Sequence, residues 1–242
     1  MSVKSKVKPK LQLAKIIADR RETVDTRTLR LQPSEPFEWQ PGQFIMVKAE
    51  IDGKTVSRAY SIASSPTRKG YLEITVRETA NPTMSKYLNE IPVGYMLAIK
   101  GPYGKFIWNE NVSDKLFCLA AGSGITPFRA FMQYIIDKDL DTKFKLLYSV
   151  RYGNNIIYEK ELQELVSQMK NGEYHLTITR DPMGIDYARQ GRINEEYLAE
   201  QIKGFEDANF YLCGSPSFIE AMKADLLKLG IPPEKVKREQ WG

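Results

Sequence analysis

Apolar and polar positions follow two different patterns along this chain. From Leu11 to about Gly104 the apolar residues fall in short β-rich runs broken by turn residues, at 13–17, 28–31, 44–49, 58–62, 71–77 and 96–99. Runs of that length, with Val, Ile, Tyr and Thr prominent, predict a small antiparallel barrel. A Pro41-Gly42 turn precedes the third run, and one helix is expected to interrupt the barrel at about 84–90. After Asn109 the pattern changes. Apolar strand-length runs at 116–121, 144–150, 174–179 and 210–213 alternate with helical stretches opening near Pro127, Tyr158, Asn194 and Ser217. This alternation predicts a parallel α/β sheet. The last helix shows its period plainly, with Phe218, Met222, Leu226 and Leu229 spaced for one buried face before Gly230-Ile231-Pro232-Pro233 ends it. The expected domains are 1–111 and 112–242.

Composition narrows the functional classes. The chain has 242 residues, 42% hydrophobic and 27% charged, which suits two globular domains of roughly 110 to 130 residues. Lys4, Lys6, Lys8 and Lys10 are followed by no apolar run of signal-peptide or membrane length, so the cytoplasm is the expected location. Only two cysteines occur, Cys118 and Cys213, both in apolar runs. A disulfide scaffold is not expected, and a plant-type 2Fe-2S cluster, which takes four cysteines, cannot be held by this chain alone. The single histidine, His175, lies in a strand-like run and is read as structural, which argues against a Ser-His-Asp hydrolase. No zinc-ligand spacing exists. A net charge of +5 suits acidic partners, and no nucleic-acid signature accompanies it.

Four motifs carry the chemistry. Arg58-Ala59-Tyr60-Ser61-Ile62-Ala63-Ser64-Ser65-Pro66 combines a guanidinium able to neutralise a diphosphate, a tyrosine able to pack on a ring, and a serine able to hydrogen-bond ring heteroatoms. In an extended strand Arg58 and Tyr60 share a face and Ser61 lies on the other. Next comes Gly101-Pro102-Tyr103-Gly104-Lys105-Phe106. In Ala121-Gly122-Ser123-Gly124-Ile125-Thr126-Pro127 an apolar strand runs into a glycine turn and a helix, where backbone amides and the helix terminus favour an anion. Thr126 is the expected N-cap and Pro127 the first helical residue. The fourth motif is Cys213-Gly214-Ser215-Pro216.

In this order the four motifs resemble the ferredoxin-NADP reductase family of flavoproteins, over nearly the whole chain. The resemblance implies an FAD-binding Greek-key β-barrel followed by an NAD(P)-binding α/β domain, in a stand-alone form without an iron-sulfur domain. It implies that Arg58, Ala59, Tyr60 and Ser61 hold the flavin, and that Gly122, Ser123, Gly124, Thr126 and Pro127 seat the dinucleotide. Cys213 and Gly214 would lie close to the nicotinamide. Trp241, near the end of a last strand beginning at Val236, would cover the flavin face where the nicotinamide binds. Ser61, Cys213 and Trp241 are thus the candidate catalytic residues. The family's Gly-x-x-Ser turn for the FAD diphosphate reads Pro82-Thr83-Met84-Ser85 here. Proline donates no amide, while Thr83, Met84 and Ser85 still can. That second anion element favours FAD over FMN.

The strand at 144–150 ends at Arg151, where the NAD-type fold places an acid, and Arg180 closes the next strand. A 2′-phosphate pairing with either cation favours NADPH, with NADH possible. The alternative has Arg151 contacting diphosphate alone while Arg180 pairs with Asp181. The function implied is an FAD-dependent NAD(P)H reductase, monomeric, passing electrons to an acidic one-electron carrier such as ferredoxin or flavodoxin. The reductase component of an oxygenase, or a flavin-bearing subunit of a larger assembly, are the alternatives, with neither nucleic acid nor membrane as partner.

Overall fold

The computed structural model describes residues 9–80 and 82–240. The first six strands are β1 (Lys10–Thr23), β2 (Thr26–Pro33), β3 (Phe44–Ile51), β4 (Lys54–Ser61), β5 (Leu72–Arg77) and β6 (Met96–Tyr103). They form one antiparallel sheet in the order β4-β3-β6-β1-β2-β5. An Ile62–Ile74 bridge and the Ala63 amide donating to the Glu73 carbonyl at 2.7 Å join its two edges, curling the sheet into the expected barrel. Alternation fills the interior: Ile45 and Val47 of β3, Leu72, Ile74 and Val76 of β5, and Leu97 and Ile99 of β6 share one buried cluster. Helix α1 (Thr83–Glu90) plugs this core with Met84 and Leu88.

β1 is longer than the apolar run at 13–17 predicts. Its second half, Ala18 to Thr23, pairs with β2 through two register shifts while pointing polar side chains outward. The ladder, not burial, extends the strand there.

The second sheet is parallel. Strands β7 (Lys115–Ala121), β8 (Lys143–Val150), β9 (Asn171–Ile178), β10 (Arg189–Gln190), β11 (Asn209–Gly214) and β12 (Val236–Gln240) lie in the order β10-β9-β8-β7-β11-β12. Helices α2 (Thr126–Asp137) and α3 (Glu159–Gln168) bury Phe128, Phe131, Ile135 and Leu162 on one face. On the other face α4 (Glu195–Gln201) and α5 (Pro216–Lys228) bury Leu198, Ile219, Met222 and Leu226. In α5 the fully buried stripe is Ile219, Met222 and Leu226, with Phe218 and Leu229 only packed against it. The chain leaves β7 toward β8 and returns at β11 on the other side of β7. The carboxyl ends of β7 and β11 therefore flank a crevice where the winding reverses, the place where open α/β sheets take ligands.

One expectation is corrected here. Thr126 is not the N-cap: residues Gly122–Ile125 already form a 3-10 turn, so α2 begins with Thr126 in helical geometry and Pro127 second. The Thr126 hydroxyl donates instead to the Ser123 carbonyl at 2.8 Å, which rigidifies the glycine turn. Just before residue 111 the chain passes from one core to the other. Phe106 and Trp108 are buried in the cluster of the second sheet, so the barrel's last segment seals the other domain. Among the described residues no helix is long and apolar enough to cross a membrane.

Candidate functional site

Three strands bring two of the catalytic candidates, Ser61 and Cys213, together with a third group. Ser61, at the end of β4, is buried and donates to Glu239 Oε2 at 3.3 Å across the domain junction. Glu239 in β12 is the register neighbour of Cys213 in β11, which in turn pairs with Ala120. Ser61, Cys213 and Glu239 thus meet where the flavin motif and the Cys-Gly motif converge. Glu239 was not singled out from the sequence. Burial raises its carboxyl to about pKa 7, with the Ser61 hydrogen bond opposing the shift. Cys118 and Cys213 are both buried and form no disulfide. Trp241 lies outside the described residues.

On the barrel side, Tyr60 is half-buried against the barrel core, and burial pushes its hydroxyl pKa up. Arg58 is exposed, and its one described hydrogen bond is to its neighbour's carbonyl, Ser57, at 2.9 Å. The guanidinium therefore keeps donors for an external anion. Ala59 sits half-buried between them. Thr83 opens α1, whose first turn carries no acid. Ser85 is buried and takes a hydrogen bond from the Thr79 amide at 3.3 Å. The Met84 side chain belongs to the barrel core, which leaves only its backbone for a ligand.

On the nucleotide side, a cleft of about 570 Å³ opens at the crevice between β7 and β11. Ala121, Gly122 and Ser123 line it, with Gly214, Ser215 and Ser217 opposite. Ser215 is also the N-cap of α5, accepting from the Phe218 amide at 3.4 Å. Gly122 has φ 54, a left-handed conformation in which a side chain is strained. Gly124 is needed for space, since a Cβ there would stand 2.1 Å from the Cys213 carbonyl oxygen. The two motifs therefore touch through backbone, and the residues of the turn that face the cleft are Gly122 and Ser123.

Three cations line the cleft: Arg77, Arg151 and Arg192. Only Arg151 was anticipated. Arg77 comes from the barrel; its Nε donates to Asp25 at 2.9 Å, and its Nη1 lies 3.3 Å from the position of a Gly122 Cβ. Asp25 is held below its usual pKa, as hydrogen bonds from Thr23, Arg77 and Thr26 outweigh the opposing effect of burial. Arg180 is not among the lining residues. It stands with its guanidinium carbon 6.0 Å from the Tyr152 ring centroid, while its amide donates to the Arg151 carbonyl. The donor sets fit the two groups implied: glycine turn plus guanidinia for a dinucleotide, and Arg58 with the acid-free end of α1 for a flavin diphosphate.

Comparison with known proteins agrees with this architecture. Residues 13–108 match the oxidoreductase FAD-binding domain family and residues 118–224 the oxidoreductase NAD-binding domain family. The fold and the two matches define a pair of oxidoreductase domains, one of the FAD-binding and one of the NAD-binding kind. The chain belongs to the ferredoxin-NADP reductase family of flavoproteins. It is 31% identical over 209 residues to NADH-cytochrome b5 reductase 1 of Cryptococcus neoformans, covering 81% of this chain and 70% of that protein. It is 29% identical over 226 residues to the glycine betaine monooxygenase reductase subunit of Chromohalobacter salexigens, covering 91% of this chain. The chain spans 61% of that relative's length. A ferredoxin NADP+ reductase from Neisseria gonorrhoeae, solved with FAD and NADP bound, shares the fold. Its TM-score is 0.81 at 19% identity, covering 96% of this chain and 98% of that one.

Proposed function

We propose that this protein is an FAD-dependent NAD(P)H reductase that passes electrons to a one-electron protein carrier of the ferredoxin or flavodoxin kind. The observation that carries the reading is the convergence of Ser61, Glu239 and Cys213 between the flavin strand and the nucleotide turn. When bound, the flavin supplies hydride acceptance from the nicotinamide and one-electron release to the carrier. The residues do the rest. Arg58 neutralises the flavin diphosphate with the amides of Thr83, Met84 and Ser85. Gly122, Ser123, Gly124 and Thr126 seat the dinucleotide diphosphate, with Arg77 as a cation reaching across from the barrel. Cys213 and Gly214 offer a narrow backbone wall to the nicotinamide, and Trp241 covers the flavin. Glu239 and Ser61 hold a proton at the junction. Division near residue 111 into flavin and nucleotide domains goes with this reading.

A basic chain, at +5, suits an acidic carrier and a monomer that meets it transiently. A second reading, the reductase component of an oxygenase, is favoured by the likeness to the glycine betaine monooxygenase reductase subunit. Turnover of NADPH and NADH against a panel of ferredoxins, flavodoxin, isolated oxygenase components and ferricyanide tests both readings. A purified protein that is colourless and takes up neither FAD nor FMN would sink them together.

Two variants test the ligand assignments. Arg58→Ala is expected to weaken FAD retention about tenfold or more, the worth of a charged hydrogen bond to the diphosphate; flavin release measured by fluorescence after dilution reads it directly. Arg192 lines the cleft and Arg180 does not, so the 2′-phosphate is assigned to Arg192. NADPH is expected to be preferred over NADH, with Arg192→Ala narrowing the preference and Arg180→Ala leaving it near wild type. Arg151→Ala weakens both coenzymes evenly if it meets only diphosphate. Equal use of the two coenzymes by wild type, unaltered by Arg192→Ala, would remove the 2′-phosphate assignment.

A further inference from the structure

Strand β5 is the face on which the two domains meet. Its inward residues fill the barrel, and its outward residues Glu73, Thr75 and Arg77 each reach a different part of the α/β domain. Glu73 accepts from Arg129 Nη1 of α2 at 2.6 Å. Thr75 Oγ1 is hydrogen-bonded to the buried Tyr158 hydroxyl. Arg77 reaches the Gly122 turn. One strand thus carries both an interdomain clamp and, two residues further on, a cation of the nucleotide cleft.

Tyr158 is the centre of that clamp. It precedes α3 with φ 61 and ψ 30, a left-handed backbone that a bulky residue adopts only where its surroundings compel it. A glycine or asparagine would take this conformation more readily, so the side chain is what the position requires. Two guanidinia approach its ring, Arg129 at 4.9 Å and Arg20 at 5.8 Å from the centroid. Both arginines also bind Glu161, Arg129 Nε at 2.7 Å and Arg20 Nη2 at 2.5 Å. Arg129 adds a bond to the Ala63 carbonyl at 3.0 Å, beside the flavin motif. Burial works against the charges, yet Arg129 with Arg30 and Arg20 keeps Glu73 and Glu161 below the usual carboxylate pKa. The tyrosine also ends the segment that begins at Arg151 and contains Asn155, both lining the cleft.

We propose that Tyr158 is a positioning residue for nucleotide binding: its hydroxyl bond to Thr75 sets Arg77 of the barrel against the Gly122 turn and Arg151 of the α/β domain. The inference rests on the reading of the cleft as the dinucleotide site. Tyr158 touches no ligand itself. It fixes the distance between the halves of a cation set that come from different domains, and a dinucleotide needs both halves at once.

The test compares Tyr158→Phe, Thr75→Val, their combination and Thr75→Ser in the flavin-loaded protein, titrated with NADP+ by calorimetry. The phenylalanine keeps the ring beside the arginines and removes only the hydroxyl. Each of the first two variants is expected to bind NADP+ about five-fold more weakly, because part of the binding energy is then spent on ordering the two halves of the cation set. Thr75→Val also removes the bond between Thr75 Oγ1 and Thr28 Oγ1 at 2.8 Å. The double variant should therefore be no weaker than Thr75→Val alone, in which the Tyr158 bond is already lost, and Thr75→Ser, which keeps the hydroxyl, should retain wild-type affinity. Flavin content and absorbance should be unchanged in all four. Hydrogen exchange without nucleotide gives a second readout: backbone amides at 122–125 and 151–155 should lose protection in Tyr158→Phe. Wild-type affinity and wild-type protection in Tyr158→Phe, whatever its melting temperature, would overturn the proposal and leave a purely structural clamp. A wild-type protein that binds no NADP+ or NAD+ would instead refute the reading of the cleft, and the exchange experiment would still decide the role of Tyr158.

Discussion

Gly124→Ala is expected to abolish nucleotide binding and to lower the melting temperature sharply. A Cβ on Gly124 would lie 2.1 Å from the Cys213 carbonyl oxygen, 2.4 Å from its carbonyl carbon and 2.7 Å from the Gly214 nitrogen. All three are backbone atoms, so no rotamer change relieves the clash. The carboxyl end of β11 cannot retreat cheaply either, being laddered to β7 on one side and β12 on the other. Forcing the two apart costs about 3 kcal/mol or more, roughly 10 °C in a domain of this size. It also widens the turn proposed to seat the diphosphate. Gly122→Ala makes a useful contrast. Its left-handed φ of 54 costs about 1 to 2 kcal/mol, but the nearest obstacle is the end of a flexible side chain, Arg77 Nη1 at 3.3 Å. Thermal melts and NADP+ titrations of both variants read the difference. If Gly124→Ala melts and binds like wild type, the backbone contact between the two motifs does not exist in solution.

That contact could be anticipated only as two separate glycine motifs, and the same holds for much of the site. Apolar periodicity made β7, β8 and β11 legible, because each is covered on both faces and reads as a continuous apolar run. It failed for the second half of β1, whose side chains are polar on both sides and whose pairing comes from backbone hydrogen bonds. It failed again at Arg129 and Gln133, which sit in an otherwise apolar helix and are nevertheless buried, because they face the other domain. Arg129 finds its partners 56 and 32 residues away, at separations no local pattern encodes. The Thr126 hydroxyl looked like a cap because the helix was assumed to start after the glycines; the 3-10 turn moves that start one turn earlier. Arg192 follows a two-residue edge strand too short to show any period.

Glu239 was hidden for a related reason. It stands between Arg238 and Gln240 in a polar segment, and only the parallel register beside Cys213 brings it under the barrel. A signal was available: the resemblance implies a last strand that ends against the flavin, and the two-residue period of a strand predicts position 239 on the face assigned to position 241.

Replacing this carboxylate is the second change expected to have a large effect. Glu239→Gln should slow reduction of the bound flavin by NADPH roughly ten- to hundredfold, the range for losing a positioned proton donor or acceptor. It should also erase an inflection near pH 7 from the wild-type profile, because the carboxyl is raised from 4.5 to about 7. The stability consequence has a definite sign. The folded state holds its proton to higher pH than the unfolded chain, so between about pH 4.5 and 7 it binds more protons, and raising the pH through that window costs stability. The penalty is absent below the window and complete above it, on the order of 3 kcal/mol. Glutamine carries no such penalty. The melting temperature of Glu239→Gln relative to wild type should therefore climb as pH rises from 5 to 8, while its reductive rate stays low and flat. Glu239→Asp keeps an ionisable group near Ser61 and should retain a pH inflection that the glutamine lacks. Rapid-mixing reduction and thermal melts across that pH range supply both readouts. A wild-type rate that is level through pH 7, or a glutamine variant that preserves the inflection, would show that the proton at this junction is held elsewhere.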